Sequence, residues 1–120
     1  MRTFDSGATR DNDTSKLDYV RALSPIVLKR YVQYLAEHRV QADGKLRDFD
    51  NWKKGIPIDT YLSSLGRHFM DVWLDLDIYK SEQDIETSLC AVIFNSMGML
   101  HEILEGQEDN DFAEDPCNEV

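Results

Sequence analysis

At 120 residues and 42% hydrophobic content, the chain is long enough for one domain that buries about two thirds of its unfolded surface without a metal or disulfide staple. Its formal charge of -10 is unevenly spread, because residues 105–120 hold seven acids and no base and leave 16 acids against 13 bases before them. No basic stripe is present to displace phosphate counterions, which argues against duplex nucleic acid as a direct partner.

The two cysteines, Cys90 in an apolar run and Cys117 near the end, share no zinc-like or redox-like spacing and fit a reducing compartment. No continuous apolar run approaches about 18 residues, and no basic leader precedes a short hydrophobic stretch. The expectation is a soluble, cytoplasmic protein with no membrane segment.

Residues 1–23 carry Asp5, Gly7, Asp11, Asn12 and Asp13 with little periodicity and are expected to form an irregular arm. A first helix then begins at Ser24, a good N-cap, followed by Pro25 at the first helical position. Val27, Tyr31, Tyr34 and Leu35 continue it at 3.6-residue spacing to about His38. The stretch "RVQADGKLRDFDNWKKGIP" is a long polar connection, and such a loop in a compact domain is usually functional or disordered. Trp52 within it favours function.

A second helix is expected from Asp59 as N-cap through Tyr61, Leu62, Leu65, Phe69, Val72 and Trp73. On another face His68, Asp71 and Asp75 fall within about 60° of one another. A third helix, about 24 residues long, is expected from the capping-box-like "SEQD" at Ser81 to a stop at Gly106. Asp84, Ser88, Ala91 and Asn95 share one side of it, and Gly98 and Glu102 continue that side. The fold class is therefore all-α: a single domain over 1–104, and an acidic, solvated, disordered tail over 105–120. Three helices leave an apolar face that a second copy would cover, so a homodimer or tetramer is expected.

Two polar stripes on apolar helices suit a hard cation, because carboxylates at successive turns can reach one Mg²⁺ whose octahedron is completed by phosphates and waters. Such an ion would polarise a phosphoryl oxygen and activate water. Asp71 stands among Phe69, Met70, Val72 and Trp73, where a carboxylate usually has a charged partner or a metal. Asn95, among Ile93, Phe94 and Met97, raises the same question. Asp84 fits a helix cap as well as a ligand, and His68 fits a satisfied core histidine as well as a catalytic one. Lys53, Lys54 and Arg67 could clamp phosphates, and Trp52 could stack on a base or plug a helix gap.

Together, "GATRDNDTSKLDY", "ADGKLRDFDNWKKGIP", "RHFMDVWL" and "LCAVIFNSMGMLHEIL" resemble the dATP/dGTP diphosphohydrolase N-terminal-domain proteins of phages, over roughly residues 7–104. That family is similar to the MazG-like all-α nucleoside triphosphate pyrophosphohydrolases. The matching positions are Asn51, Trp52, Gly55, Pro57, Arg67, His68, Asp71, Asn95 and Glu102. The MazZ type implies conversion of dGTP or dATP to the monophosphate with Mg²⁺ or Mn²⁺, in phages whose genomes carry 2-aminoadenine.

The wider group places Glu-x-x-Glu and Glu-x-x-Asp on its helices, where this chain has His68-x-x-Asp71. The expected site is thus His68, Asp71 and Asn95 for catalysis, Asn51, Trp52, Lys53, Lys54 and Arg67 for substrate, and Asp71, Asp84 and Glu86 for metal. The rival expectation is a non-catalytic helical interaction protein of a phage.

Overall fold

The computed structural model describes residues 2–10, 16–77 and 84–109. Helices Tyr19–Ala22 (α1), Pro25–Glu37 (α2), Ile58–Leu76 (α3) and Ile85–Asp109 (α4) dominate, with a two-stranded antiparallel ladder of Arg2–Thr3 (β1) and Thr9–Arg10 (β2). The chain is mostly helical, in keeping with the all-α expectation. The arm is more ordered than its composition suggests. Gly7 at φ +89° lets the chain reverse, Phe4 N–H donates to the Ala8 carbonyl at 2.9 Å, and Asp18 caps α1 by accepting the Arg21 N–H at 3.0 Å. Strands of two residues are too short to show a period-2 pattern.

Helix α2 starts as its sequence dictates, with Ser24 Oγ accepting the Val27 N–H at 3.4 Å and Pro25 in the first turn. The long connection that follows is built, not loose. Asp43 and Gly44, the latter at φ +83°, turn the chain so that Val40 bridges Leu46, and Asn51–Lys54 then form a 3-10 turn closed by Gly55 at φ +109°.

Helix α3 begins two residues earlier than expected, after Pro57, whose fixed φ suits a helix entry; Asp59 lies in the first turn and is not the cap. Helix α4 runs through Gly106 to Asp109 without stopping at the glycine. The expected start at Ser81 and the segment from 110 onward lie outside the described residues.

The core lies on one side of α4. Tyr31 and Tyr34 of α2 pack on Cys90 and Ala91 of α4, with Leu35, Phe94 and Met97 around them. Burying each such ring contributes roughly 1.5–3 kcal/mol. Burial also holds the Tyr31 phenol up at about 12.

Toward α3, α4 presents Ser88, Asn95 and Gly98, all buried, with the fully buried Ala91 between them and the core, and the small size of Ser88, Ala91 and Gly98 lets α3 come close. Tyr61, 1% exposed, lies over Gly98 and meets the Phe94 ring edge-on at 5.9 Å.

The orientation of α3 inverts the usual rule. Its sheltered face carries Tyr61, His68, Asp71, Val72 and Asp75, whereas Leu62, Phe69, Trp73 and Leu76 point to solvent and are 52–71% exposed. The polar stripe expected to lie opposite the buried face is instead part of it. Helix α4 is long and apolar enough over Ile85–Gln107 to cross a membrane by length and composition, which the absence of an unbroken apolar run did not lead one to expect. Of the residues that interrupt its apolar run, Ser88, Asn95 and Gly98 are buried, whereas Ser96 and Gly106 are exposed.

Candidate functional site

A cleft of about 420 Å³ opens between the C-terminal end of α2, the 39–56 connection and Phe94 of α4. Its aromatic walls are Tyr34, Phe49, Trp52 and Phe94, and its polar groups include His38, Arg39, Arg47 and Asn51. Local bonds fix most of these. His38 Nδ1 lies 2.9 Å from the Tyr34 carbonyl, and the two rings are 4.2 Å apart. Arg39 Nε donates to the Arg47 carbonyl at 2.8 Å, and its guanidinium lies 4.4 Å above the Phe49 ring, an attraction of the cation for the π-face.

Trp52 is held edge-on against His101 of α4 at 4.8 Å, and the Ile56 N–H donates to Glu102 Oε1 at 3.3 Å, tying the 3-10 turn to α4. Lys53 Nζ sits 5.6 Å from the Trp52 ring centre, while Lys53 and Lys54 are both exposed. Burial raises the Tyr34 phenol above its ordinary value, and Glu37 and Asp48 stand with Arg39 and Arg47 in the lining.

The second group of expected residues lies on the facing sides of α3 and α4. Asn95, 4% exposed, donates Nδ2–H to the Ala91 carbonyl at 2.8 Å, a bond to the preceding turn of its own helix. Asp71 is half-buried on α3 and makes no ion pair with Arg67 among the described residues; Arg67 is exposed. His68 Nδ1, Ser88 Oγ and the Tyr61 hydroxyl are buried and have no hydrogen-bond partner among the described residues. Each such orphan costs roughly 1–3 kcal/mol. The face between α3 and α4 therefore holds unspent hydrogen-bonding capacity.

The proposed metal ligands fit poorly as a set. Asp84 is the cap of α4: its Oδ1 accepts the Thr87 N–H at 2.9 Å and its Oδ2 the Thr87 hydroxyl at 2.9 Å, and these two bonds hold its carboxyl below the ordinary value. Glu86 Oε1 accepts from Arg30 Nε of α2 at 2.8 Å, which raises the Arg30 guanidinium further above its usual value. No group of three or more His, Cys, Asp or Glu side chains placed to hold a metal ion occurs among the described residues. Asp71, Asp84 and Glu86 do not form a metal cage within one chain.

The structure thus sorts the expected residues into three places, with Arg67 apart from them on the exposed side of α3. Asn51 and Trp52 line the cleft, with Lys53 and Lys54 beside it. His68, Asp71 and Asn95 lie on the α3–α4 faces, and Asp84 and Glu86 stand at the start of α4. Phe94 and Asn95 are consecutive, so one helical step separates cleft from seam.

Sequence reasoning missed Arg39, Arg47, Phe49 and Tyr34. A signal for the first two existed in Asp43-Gly44, a hairpin dipeptide that sets residues 39 and 47 across from each other. Comparison with family models, curated proteins and solved structures finds no match for this chain.

Proposed function

We propose that the chain is a nucleoside triphosphate pyrophosphohydrolase of MazG-like type that converts dGTP and/or dATP to the monophosphate and pyrophosphate, in phage nucleotide metabolism linked to 2-aminoadenine. The observation that carries the reading is the cleft: about 420 Å³, within the range of small-ligand sites, with stacking surfaces beside two guanidinium groups.

In this reading Trp52 stacks on the base, Asn51 meets its polar edge, and Arg39 and Arg47 hold phosphate oxygens. Lys53 and Lys54 add positive charge at the mouth, and Arg67 lies on the exposed side of α3. The unpaired polar atoms near His68, with Asp71 and Asn95, are the groups that would orient water.

Mg²⁺ or Mn²⁺ belongs to the proposal as the companion of the triphosphate. Mg²⁺ is commonly held by one or two carboxylates together with substrate phosphates and not by an all-protein cage. No step is assigned to Asp84, whose two oxygens cap α4, or to Glu86, which is paired with Arg30.

Incubation with dGTP or dATP and Mg²⁺ tests the reading by release of pyrophosphate and monophosphate, with Trp52→Ala and Arg47→Ala each raising KM by about tenfold or more. Complete inertness at micromolar protein would favour the second reading, a non-catalytic helical interaction protein. That alternative draws on the solvent-facing Leu62, Phe69 and Trp73 of α3.

A further inference from the structure

The outward face of α3 has a regular pattern. Leu62, Gly66, Phe69, Trp73 and Leu76 follow one another at alternating spacings of four and three, the repeat of a helix–helix seam, and lie within about 80° on the helix surface. This line is displaced by roughly 100° from Tyr61, His68 and Val72, which face α4. Leu62 is 55% exposed, Phe69 52%, Trp73 56% and Leu76 71%, with Met70 at the edge. Beyond its chain neighbours and its own helix backbone, no described residue lies within 4 Å of the position a Cβ would take on Gly66.

We propose that this seam packs against the same seam of a second copy, antiparallel, about a twofold axis beside Phe69. The pattern is self-complementary only in that direction. Antiparallel pairing sets Leu62 against the partner subunit's Leu76 and places Trp73, the largest side chain, over the partner subunit's Gly66, the smallest. Parallel pairing would oppose Trp73 to its own copy, leave a gap between two glycines and bring the Asp75 and Asp77 carboxylates of both chains together.

The exposed parts of Leu62, Phe69, Met70, Trp73 and Leu76 amount to roughly 1,100 Å² over two copies, which meets the lower bound of about 1,000 Å² for a specific interface. The chain's own residues 110–120 are a poor alternative cover, since they offer Phe112 and Val120 as large apolar groups and four acids. The inference is independent of the catalytic reading.

Sedimentation or light scattering of the full chain at about 50 μM should give twice 13.9 kDa. Phe69→Glu and Trp73→Glu should each give a monomer with unchanged helical circular dichroism, because both side chains are exposed within one copy. Trp73→Ala should weaken self-association by a factor on the order of one hundred.

Direction is read separately. In a Cys117→Ser background the double variant Leu62→Cys with Leu76→Cys should crosslink between copies on oxidation, while Leu62→Cys alone should not. A wild-type monomer at 50 μM overturns the proposal. In that case Trp73 emission, measured with Trp52→Phe, distinguishes the other occupants: a buried spectrum lost on deleting 110–120 would assign the seam to the tail, and an exposed one to a different partner. A dimer that survives both glutamate variants, or one crosslinked by Leu62→Cys alone, also overturns it.

Discussion

The ring of Tyr61 lies so close to Gly98 that a Cβ built on the glycine would overlap the phenol. The contact sets the distance between α3 and α4 at the end of the hairpin nearest the cleft. Gly98→Ala must push the ring outward, and overpacking of this kind costs about 1–3 kcal/mol. The expected result is a lower urea midpoint with an unchanged slope. Gly106→Ala, in the same helix but with open space around it, should raise stability by about 0.5–1 kcal/mol.

Asp84→Asn retains an N-cap oxygen and should leave melting almost unchanged, whereas Asp84→Ala should lower it by a few degrees. Because the Thr87 bonds depress the folded carboxyl, the cap's contribution is present above the unfolded pKa and is lost as pH falls through the lower folded value. The difference in melting temperature between wild type and Asp84→Ala should therefore shrink in acid. A difference that persists undiminished well below pH 3 would contradict the assignment.

Asp71→Asn preserves shape and removes charge on the sheltered face of α3. With no ion pair to Arg67 to break, the variant should melt as wild type does. Pyrophosphate release should fall by about a hundredfold or more if the carboxylate orients the attacking water. A much lower melting temperature with an unchanged rate per folded molecule would make Asp71 structural.

Tyr31 offers an alkaline counterpart. Its phenol keeps its proton to about 12 in the folded chain, against 10.0 for an ordinary tyrosine. Between those values the unfolded chain has released the proton and the folded one has not, so stability declines over that window as pH rises. The sign is fixed by burial. Tyr31→Phe should remove part of that decline, losing only a weak contact to Met97 Sδ at 3.9 Å, and ultraviolet titration should show one late-ionising tyrosine disappear.

The legible parts of the fold were those with local chemistry. Ser24 and Pro25 fixed the start of α2, and helical spacing gave α3 and α4. The polar sides of α3 and α4 were also readable, and they do face each other. What the pattern did not reveal was which side of α3 is covered, because amphipathicity specifies two faces without naming the neighbour of either.

The cleft was half legible. Asn51 and Trp52 stood out by composition, while Arg39 and Arg47 enter through a tertiary pairing across Gly44. Asp84 and Glu86 were attractive as ligands by spacing alone, yet Asp84 is bonded to Thr87 and one Glu86 oxygen to Arg30, contacts that helix periodicity does not encode.

Phe94 has a double position, lining the cleft while its ring meets Tyr61 across the hairpin. A molecule seated in the cleft and the packing of α3 on α4 would therefore share one side chain, a route by which their free energies can couple. Whatever tightens the Tyr61 contact must change affinity at the cleft by the same factor with which occupancy of the cleft changes the tightness of the hairpin. Amide exchange in the first turns of α3, remote from any ligand atom, becomes a meter of what the cleft holds.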